Sequence, residues 1–284
     1  HFSPEVSAAS LEGVDRLALV ARNGVGLDVI DLDACTERGI AVTITPGAIT
    51  RPMASAAVAF VLALSHRLVE RDRAVHEGRW TEGRFDRLGL GLTGRTLGVI
   101  GYGRIGREVV RLLRPWEMDV VVATRTPAAD GDVEHVPLDE LLERADVVVV
   151  ACPLTAETRH LLDARRLALL KPHALLVNVA RGPIVDQAAL AEALREGRLG
   201  GAGLDVFDPE PVDPADPLLA LPHVVGAPHA LGYWDLLFAD CVASACGAIL
   251  AVARGEAPAD VANPEVLASP RFQEKLRRFE RSRT

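Results

Sequence analysis

Short apolar runs alternate with longer amphipathic stretches from about Thr93 to His229. The runs Thr96 to Ile100, Val120 to Ala123, Val147 to Ala151, Ala174 to Asn178, Ala202 to Val206 and His223 to Gly226 are rich in β-branched residues and apolar on both faces, as strands covered on both sides should be. Helix-like segments lie between most of them: Arg104 to Leu113, Leu138 to Arg144, Asp163 to Leu170 and Asp186 to Glu196. The alternation predicts an α/β fold with a doubly wound parallel sheet. Upstream, Leu17 to Ala21, Asp28 to Arg38 and Ile40 to Ile44 read as strand, helix, strand. A long helix over Met53 to Arg73 leaves this first region, and another over Asp235 to Arg254 returns to it. Pro-rich Asp208 to Pro222 reads as a stiff loop, and Pro258 to Thr284, dense in Lys and Arg at its end, as a polar surface tail.

Composition narrows the function. At 284 residues the chain is long enough for two domains, and 49% hydrophobic with 25% charged residues excludes a disordered chain. A formal net charge of -8 argues against nucleic acid as a partner, although a small anion can still sit in a locally basic pocket. The four cysteines, Cys35, Cys152, Cys241 and Cys246, lack metal-ligand spacing, so no metal site is expected and a reducing cytoplasm is the expected setting. Cys241 and Cys246 share one predicted helix and are expected to be small buried apolar residues. No uninterrupted apolar stretch reaches the ~20 residues of a membrane span, so no membrane association is expected.

The string Gly101-Tyr102-Gly103-Arg104-Ile105-Gly106 follows a predicted strand and opens a predicted helix. In that context the first glycine permits a tight turn, the second lets a pyrophosphate approach the backbone, and the third lets helix and strand pack closely. The helix N-terminus then offers free N–H groups to the phosphates. A dinucleotide that carries only ribose hydroxyls usually meets Asp or Glu at the end of the second strand, but here that end reads Ala123-Thr124-Arg125-Thr126. A guanidinium flanked by hydroxyls favours a 2′-phosphate, hence NADP(H) over NAD(H). The alternative is a solvated Arg125, with NAD held through backbone and stacking.

Three residues after later strands suggest hydride chemistry on a 2-keto acid. That reaction needs a cation to hold the carboxylate and polarise the carbonyl, an acid for the forming alkoxide, and a partner that keeps the acid charged. Arg181 can serve as the first, His229 as the second and Glu210 as the third. Each alone has an ordinary structural reading; together, in this order, they point to catalysis.

The chain resembles the D-isomer-specific 2-hydroxyacid dehydrogenases. The likeness runs from about Leu17 to Val266 through Gly24-Val25-Gly26-Leu27-Asp28, Thr45-Pro46-Gly47, the segment Gly94 to Gly106, Pro153-Leu154-Thr155-Ala156-Glu157-Thr158, Asn178 to Gly182 with Val185-Asp186, Ala202 to Pro211, and Pro228-His229-Ala230. It implies that Arg181, Glu210 and His229 form the catalytic set, that Asp205 lies near the nicotinamide amide, and that Val25 and Gly26 offer N–H groups to the substrate carboxylate. It further implies that Cys152, Pro153, Leu154 and Thr158 line the cofactor cleft, with Val179 and Ala180 beside the nicotinamide. Residues 1–52 would be the first part of a flavodoxin-like substrate domain, 53–230 a dinucleotide-binding Rossmann domain, and 231–284 a helix returning to the substrate domain plus the tail. The family's substrate domain usually opens with a further strand and helix before the segment matching Leu17, so this one is expected to be truncated at its N-terminus. The family's acidic residue near the start of the long helix is replaced in Met53-Ala54-Ser55. Arg51 could meet a second acidic group on the substrate, or be a surface arginine. The resemblance also implies a homodimer joined through the nucleotide-binding domain. The implied activity is reduction of a small 2-keto acid such as glyoxylate or hydroxypyruvate. The alternatives are a phosphoglycerate dehydrogenase-like enzyme and a dinucleotide-sensing, corepressor-like binding protein on the same scaffold. Action on formate is disfavoured, because that branch replaces the histidine's Glu partner with an amide.

Overall fold

The computed structural model describes residues 5–81, 88–126 and 133–281. The chain divides into two compact units, one made of His1–Pro52 with Tyr233–Thr284 and the other of Met53–Gly232.

The larger unit is built on seven parallel strands: β3 (Thr96–Ile100), β4 (Asp119–Ala123), β5 (Glu134–His135), β6 (Val147–Val150), β7 (Leu175–Asn178), β8 (Gly201–Leu204) and β9 (Val224–Gly226). Their order is β5-β4-β3-β6-β7-β8-β9, and every neighbouring pair is parallel. This is the doubly wound α/β arrangement that the alternation predicts. The chain reverses direction across the sheet between β3 and β6, and the crevice at the carboxyl ends of those two strands is where such sheets bind ligands. The helices of this unit include α4 (Arg104–Leu113), α5 (Leu138–Arg144), α6 (Ala164–Leu167) and α7 (Gln187–Arg195). Valines and leucines of β6 and β7 are buried, as strands covered on both faces require. Two-residue β5 has too few residues to produce an alternating pattern and escapes sequence reading.

Helix boundaries differ most where the chain enters this unit. The helix expected over Met53 to Arg73 is instead α2 (Pro46–Ser65) followed by α3 (Leu68–His76). Pro46 opens α2 at the first helical position, where its missing N–H is not needed. The helix ends because the Ser65 carbonyl accepts the Leu90 N–H at 2.8 Å, and Arg67 then takes a left-handed backbone (φ 52°). Within this unit α2 buries Ala54, Ala57, Phe60 and Val61. A Cβ on Gly203 would stand 2.7 Å from Phe60, so glycine there permits the close approach of helix and sheet.

Asp146 ties the opposite, amino-terminal edge of the sheet. Its carboxylate accepts the Thr96 N–H at 2.8 Å and faces His173 Nε2 at 2.6 Å, Lys171 Nζ at 3.1 Å and Arg95 at 3.4 Å. Burial raises its pKa, but the Thr96, His173 and Lys171 contacts outweigh burial and lower it to about 2. A carboxyl whose pKa is depressed by folding contributes stability that is complete above its unfolded pKa and is lost as pH falls through the folded value. Unfolding free energy measured against pH is therefore expected to fall between about pH 4 and 2, and Asp146→Asn to flatten that part of the curve.

The smaller unit pairs β1 (Leu19–Ala21) with β2 (Ala41–Thr43) in parallel, with α1 (Leu32–Glu37) between them in sequence. Its later elements are α8 (Asp235–Ala253) and α9 (Pro270–Arg281). Buried Asn263 sews the returning chain to β2: its Oδ1 accepts the Val42 N–H at 2.9 Å and its Nδ2 donates to the Ile40 carbonyl at 3.1 Å. The segment expected as a polar surface tail is corrected here, because it forms α9 and buries Phe272 and Leu276 against Ala18, Ala41 and Val252. Surrounding Lys and Arg hide that apolar face in the sequence. Lys275 itself is buried along its stem, and its ammonium donates to the Leu17 and Arg38 carbonyls at 2.6 Å each.

Helices α2 and α8 are each long and apolar enough to cross a membrane by length and composition, with mean hydropathy 1.6 and 2.1, although Arg51 in α2 and Asp235 and Asp240 in α8 interrupt their apolar runs. One other expectation is corrected. Cys241 is buried as expected, but Cys246, five positions on, is exposed.

Candidate active site

The loop from β3 to α4 is shaped by its glycines. Gly101 has φ +94°, and a Cβ there would lie 2.6 Å from the Cys152 nitrogen, across the crevice where the strand order reverses. A Cβ on Gly106 would be 2.2 Å from the Gly101 carbonyl oxygen. At Gly103 nothing lies within 4 Å, so the residue preceding α4 leaves its flank open to a ligand. Arg104 and Ile105 form the first turn of α4, whose N–H groups open onto this loop.

Facing it, the β6 strand runs into Cys152 and Pro153. The following turn closes on itself through Thr158, whose Oγ1 donates to the Pro153 carbonyl at 2.7 Å and accepts the Thr155 N–H at 2.7 Å. Burial pushes the Cys152 thiol up to about 11, which keeps it a neutral packing group. At the end of β4, Arg125 is exposed and its guanidinium stands 3.4 Å from the Glu157 carboxylate. No carboxylate lies in Thr124-Arg125-Thr126 itself.

Past β7, buried Asn178 braces the next turn from both sides. Its Oδ1 accepts the Ala180 N–H at 3.0 Å and its Nδ2 donates to the Arg181 carbonyl at 2.9 Å. Val179 is buried below, and Arg181 turns back so that its NH1 donates to the Ala180 carbonyl at 2.7 Å. A Cβ on Gly182 would lie 1.9 Å from the Phe207 carbonyl oxygen, so this turn sits directly on the segment that carries Glu210.

Glu210 and His229 meet. Glu210 Oε2 is 2.8 Å from His229 Nδ1, and Oε1 accepts the Phe207 N–H at 3.1 Å. Burial raises the Glu210 pKa, but the bond to His229, the Phe207 N–H and the charges of His229 and Arg181 hold it below the usual carboxylate range. An ionised carboxylate only accepts, so Nδ1 carries a proton and Nε2 faces away from the pair.

Asp205 fixes the chain on which His229 rides. It is buried, and its Oδ1 accepts the N–H groups of Ala230 and Leu231 at 3.0 Å each. His229 takes a left-handed backbone, φ 55°, which costs energy in a non-glycine residue and needs such a brace. Asp205 Oδ2 is buried and has no partner among the described residues. Burial raises the Asp205 pKa.

Arg181, Glu210, His229 and Asp205 thus converge on loops at the carboxyl ends of β7, β8 and β9, in the larger unit. Val25 and Gly26 belong to the smaller unit, on the loop after β1. Among the described residues, no group of three or more His, Cys, Asp or Glu side chains is placed to hold a metal ion. Two braces escape the sequence reading of the site: Asn178, and Gln187, whose Oε1 accepts the Asp208 N–H at 2.9 Å. Asn178 leaves a signal, a polar residue closing an apolar run, whereas nothing distinguishes Gln187 from any glutamine at a helix start.

Residues 58–230 match the D-isomer specific 2-hydroxyacid dehydrogenase, NAD binding domain, family. The chain belongs to the D-isomer specific 2-hydroxyacid dehydrogenases. It is 41% identical over 276 residues to a glyoxylate reductase of Korarchaeum cryptofilum, covering 94% of this chain and 83% of the relative. It is 40% identical over 230 residues to a glyoxylate/hydroxypyruvate reductase of Arabidopsis thaliana, covering 81% of this chain and 73% of the relative. Among solved structures it is similar to a protein of Thermus thermophilus, with a TM-score of 0.85 and 41% identity over 91% of this chain and 83% of that one. It is also similar to an NADPH-dependent glyoxylate/hydroxypyruvate reductase of Sinorhizobium meliloti in complex with NADP and malonate, with a TM-score of 0.84 and 34% identity over 92% and 82% of the two chains. As a member of this family the protein is an oxidoreductase that uses a nicotinamide cofactor and acts on small 2-keto and 2-hydroxy acids.

Proposed function

We propose that this dehydrogenase is an NADPH-preferring reductase of glyoxylate and hydroxypyruvate in which Arg181, Glu210 and His229 are the catalytic residues. The observation that carries the reading is the 2.8 Å His229 to Glu210 bond, on loops that adjoin the turn carrying Arg181. The residues present fit a dinucleotide: Gly103 is open where a pyrophosphate would approach, α4 presents its N-terminus, and the unpartnered Oδ2 of Asp205 can accept an amide N–H. Gly101, Gly103, Arg104, Ile105 and Gly106 would hold the pyrophosphate, Thr124 and Arg125 the adenosine ribose, and Cys152, Pro153, Thr158, Val179, Ala180 and Asp205 the rest of the molecule. When bound, the cofactor supplies the hydride.

The protein's own groups supply charge and a proton. Arg181 pairs with the substrate carboxylate and polarises the C2 carbonyl, helped by the Val25 and Gly26 N–H groups. Glu210 holds Nδ1–H, so His229 presents Nε2–H to the alkoxide forming at C2 and donates that proton as the carbonyl is reduced. Run in reverse, Nε2 removes the hydroxyl proton of a 2-hydroxy acid.

The absence of a carboxylate in Thr124-Arg125-Thr126 supports NADPH, as does the NADPH dependence of the Sinorhizobium relative. Glu157 opposite Arg125 competes with a 2′-phosphate, so the preference is expected to be moderate. Initial rates with glyoxylate, hydroxypyruvate and bulkier 2-keto acids, run with NADPH and with NADH, test the whole reading. Turnover of the two small acids with NADPH favoured supports it; preference for NADH refutes the cofactor assignment. Arg125→Ala is expected to lower kcat/KM for NADPH by about tenfold and leave NADH nearly unchanged, in line with the loss of one charge-assisted phosphate contact.

A homodimer through the nucleotide-binding unit fits the exposed apolar side chains on one stretch of that unit, Leu68, Val69, Val75, Trp80 and Leu88. A cytoplasmic setting fits four cysteines that are all unpaired.

A further inference from the structure

The loop that carries Val25 and Gly26 is held by a residue that the assignment above leaves out. Thr45 sits immediately before α2, where a threonine hydroxyl ordinarily accepts an N–H of the helix's first turn. Here the hydroxyl is used elsewhere. Thr45 Oγ1 accepts the Gly24 N–H at 2.9 Å, and the Thr45 N–H donates to the Gly24 carbonyl at 2.9 Å, a reciprocal pair that clamps both polar groups of one residue. Gly24 has φ +125°, a conformation a side chain would oppose, so the turn is specified by the residue and fixed by the clamp.

The surroundings make the clamp rigid. Thr45 is buried, and its Oγ1 also lies 3.4 Å from buried Cys241 Sγ, so the hydroxyl cannot rotate freely away from Gly24. On the other side of the loop, Arg22 Nε donates to the Gly26 carbonyl at 3.1 Å. With these groups held, the Val25 and Gly26 N–H groups donate to nothing among the described residues, and both residues are only half-buried. Two adjacent free N–H groups on an anchored loop form a small anion-binding concavity.

We infer that Thr45 is a positioning residue that sets the orientation of the Val25 and Gly26 N–H groups toward the substrate carboxylate. The inference rests on the proposal above that these two groups receive that carboxylate. Without the Thr45 hydroxyl, the Gly24 N–H is buried and unpaired, and the loop is free to turn the donors aside. Thr45 touches no substrate atom; it acts through Gly24.

Two measurements test it. In the wild-type enzyme, amide exchange followed by NMR is expected to show a protected Gly24 N–H and unprotected Val25 and Gly26 N–H groups, the latter two becoming protected when oxamate is added with NADPH. If oxamate leaves Val25 and Gly26 unprotected, the carboxylate assignment fails; if Gly24 exchanges as fast as Val25, the clamp fails whatever oxamate does. In steady state, Thr45→Val, which keeps shape and removes the hydroxyl, is expected to raise KM for glyoxylate about tenfold, from one lost buried hydrogen bond. The NADPH Kd should remain within twofold, and Thr45→Ser should restore KM to within about threefold of wild type. A Thr45→Val enzyme with unchanged KM, or one whose NADPH Kd rises in step with KM and is not rescued by serine, overturns the positioning role. If Thr45→Val does not fold, the wild-type exchange pattern at Gly24 decides alone.

Discussion

Replacing His229 by asparagine is expected to lower kcat for glyoxylate reduction by about a thousandfold while NADPH binding holds, which is within the range a positioned general acid supplies. Asparagine preserves the polar character of the position but has no proton to give at neutral pH. Because Asp205 grips the Ala230 and Leu231 N–H groups and not the imidazole, the loop should keep its course in the variant, so the loss reads chemistry and not misfolding. Glu210→Gln is expected to cost less, about ten- to a hundredfold, since an amide still occupies the space and can accept from Nδ1 but no longer opposes the charge on the ring. Equal losses in the two variants would mean that Glu210 does more than orient and support His229. Stopped-flow NADPH oxidation on both variants, with NADPH affinity by fluorescence, checks the pair.

The second large effect is at Arg181. Arg181→Ala is expected to lower kcat/KM by about a thousandfold, through both a raised KM and a lowered kcat, because in the proposed reading one guanidinium both binds the carboxylate and stabilises charge at the carbonyl oxygen. Arg181→Lys should recover only a small part, since an ammonium cannot present the paired donors of a guanidinium. The turn itself should survive either change: Asn178 holds it by the Ala180 N–H and the Arg181 carbonyl, both backbone groups. A loss confined to KM, with kcat unchanged, would make Arg181 a binding residue only. Steady-state kinetics on the three proteins separates these outcomes.

Much of this was legible in the chain, for identifiable reasons. Strands buried on both faces leave apolar runs such as Val147 to Val150, and β3, α4 and α5 begin and end where the pattern places them. The glycines of the β3 to α4 loop are legible because each answers to a steric demand, as the 2.6 Å and 2.2 Å approaches at Gly101 and Gly106 show. What failed to show were features decided by partners far away in sequence. The end of α2 depends on Leu90 reaching Ser65, and the burial of α9 depends on a surface formed by Ala18, Ala41 and Val252. Cys241 and Cys246 look alike in sequence because helical periodicity alone does not say which face packs. Within the site, charged residues stood out, whereas the braces Gln187 and Thr45 work through backbone groups and carry no compositional mark, and Asn178 shows only as a polar residue closing an apolar run.

The most direct test of the whole account is the configuration of the product. Hydroxypyruvate incubated with the enzyme and NADPH, with the glycerate analysed on a chiral column, is expected to give the D isomer with stoichiometric oxidation of NADPH. Formation of L-glycerate or a racemate would contradict the proposed roles of Arg181 and His229. Absence of turnover by an enzyme that still binds NADPH would contradict hydride transfer as its function.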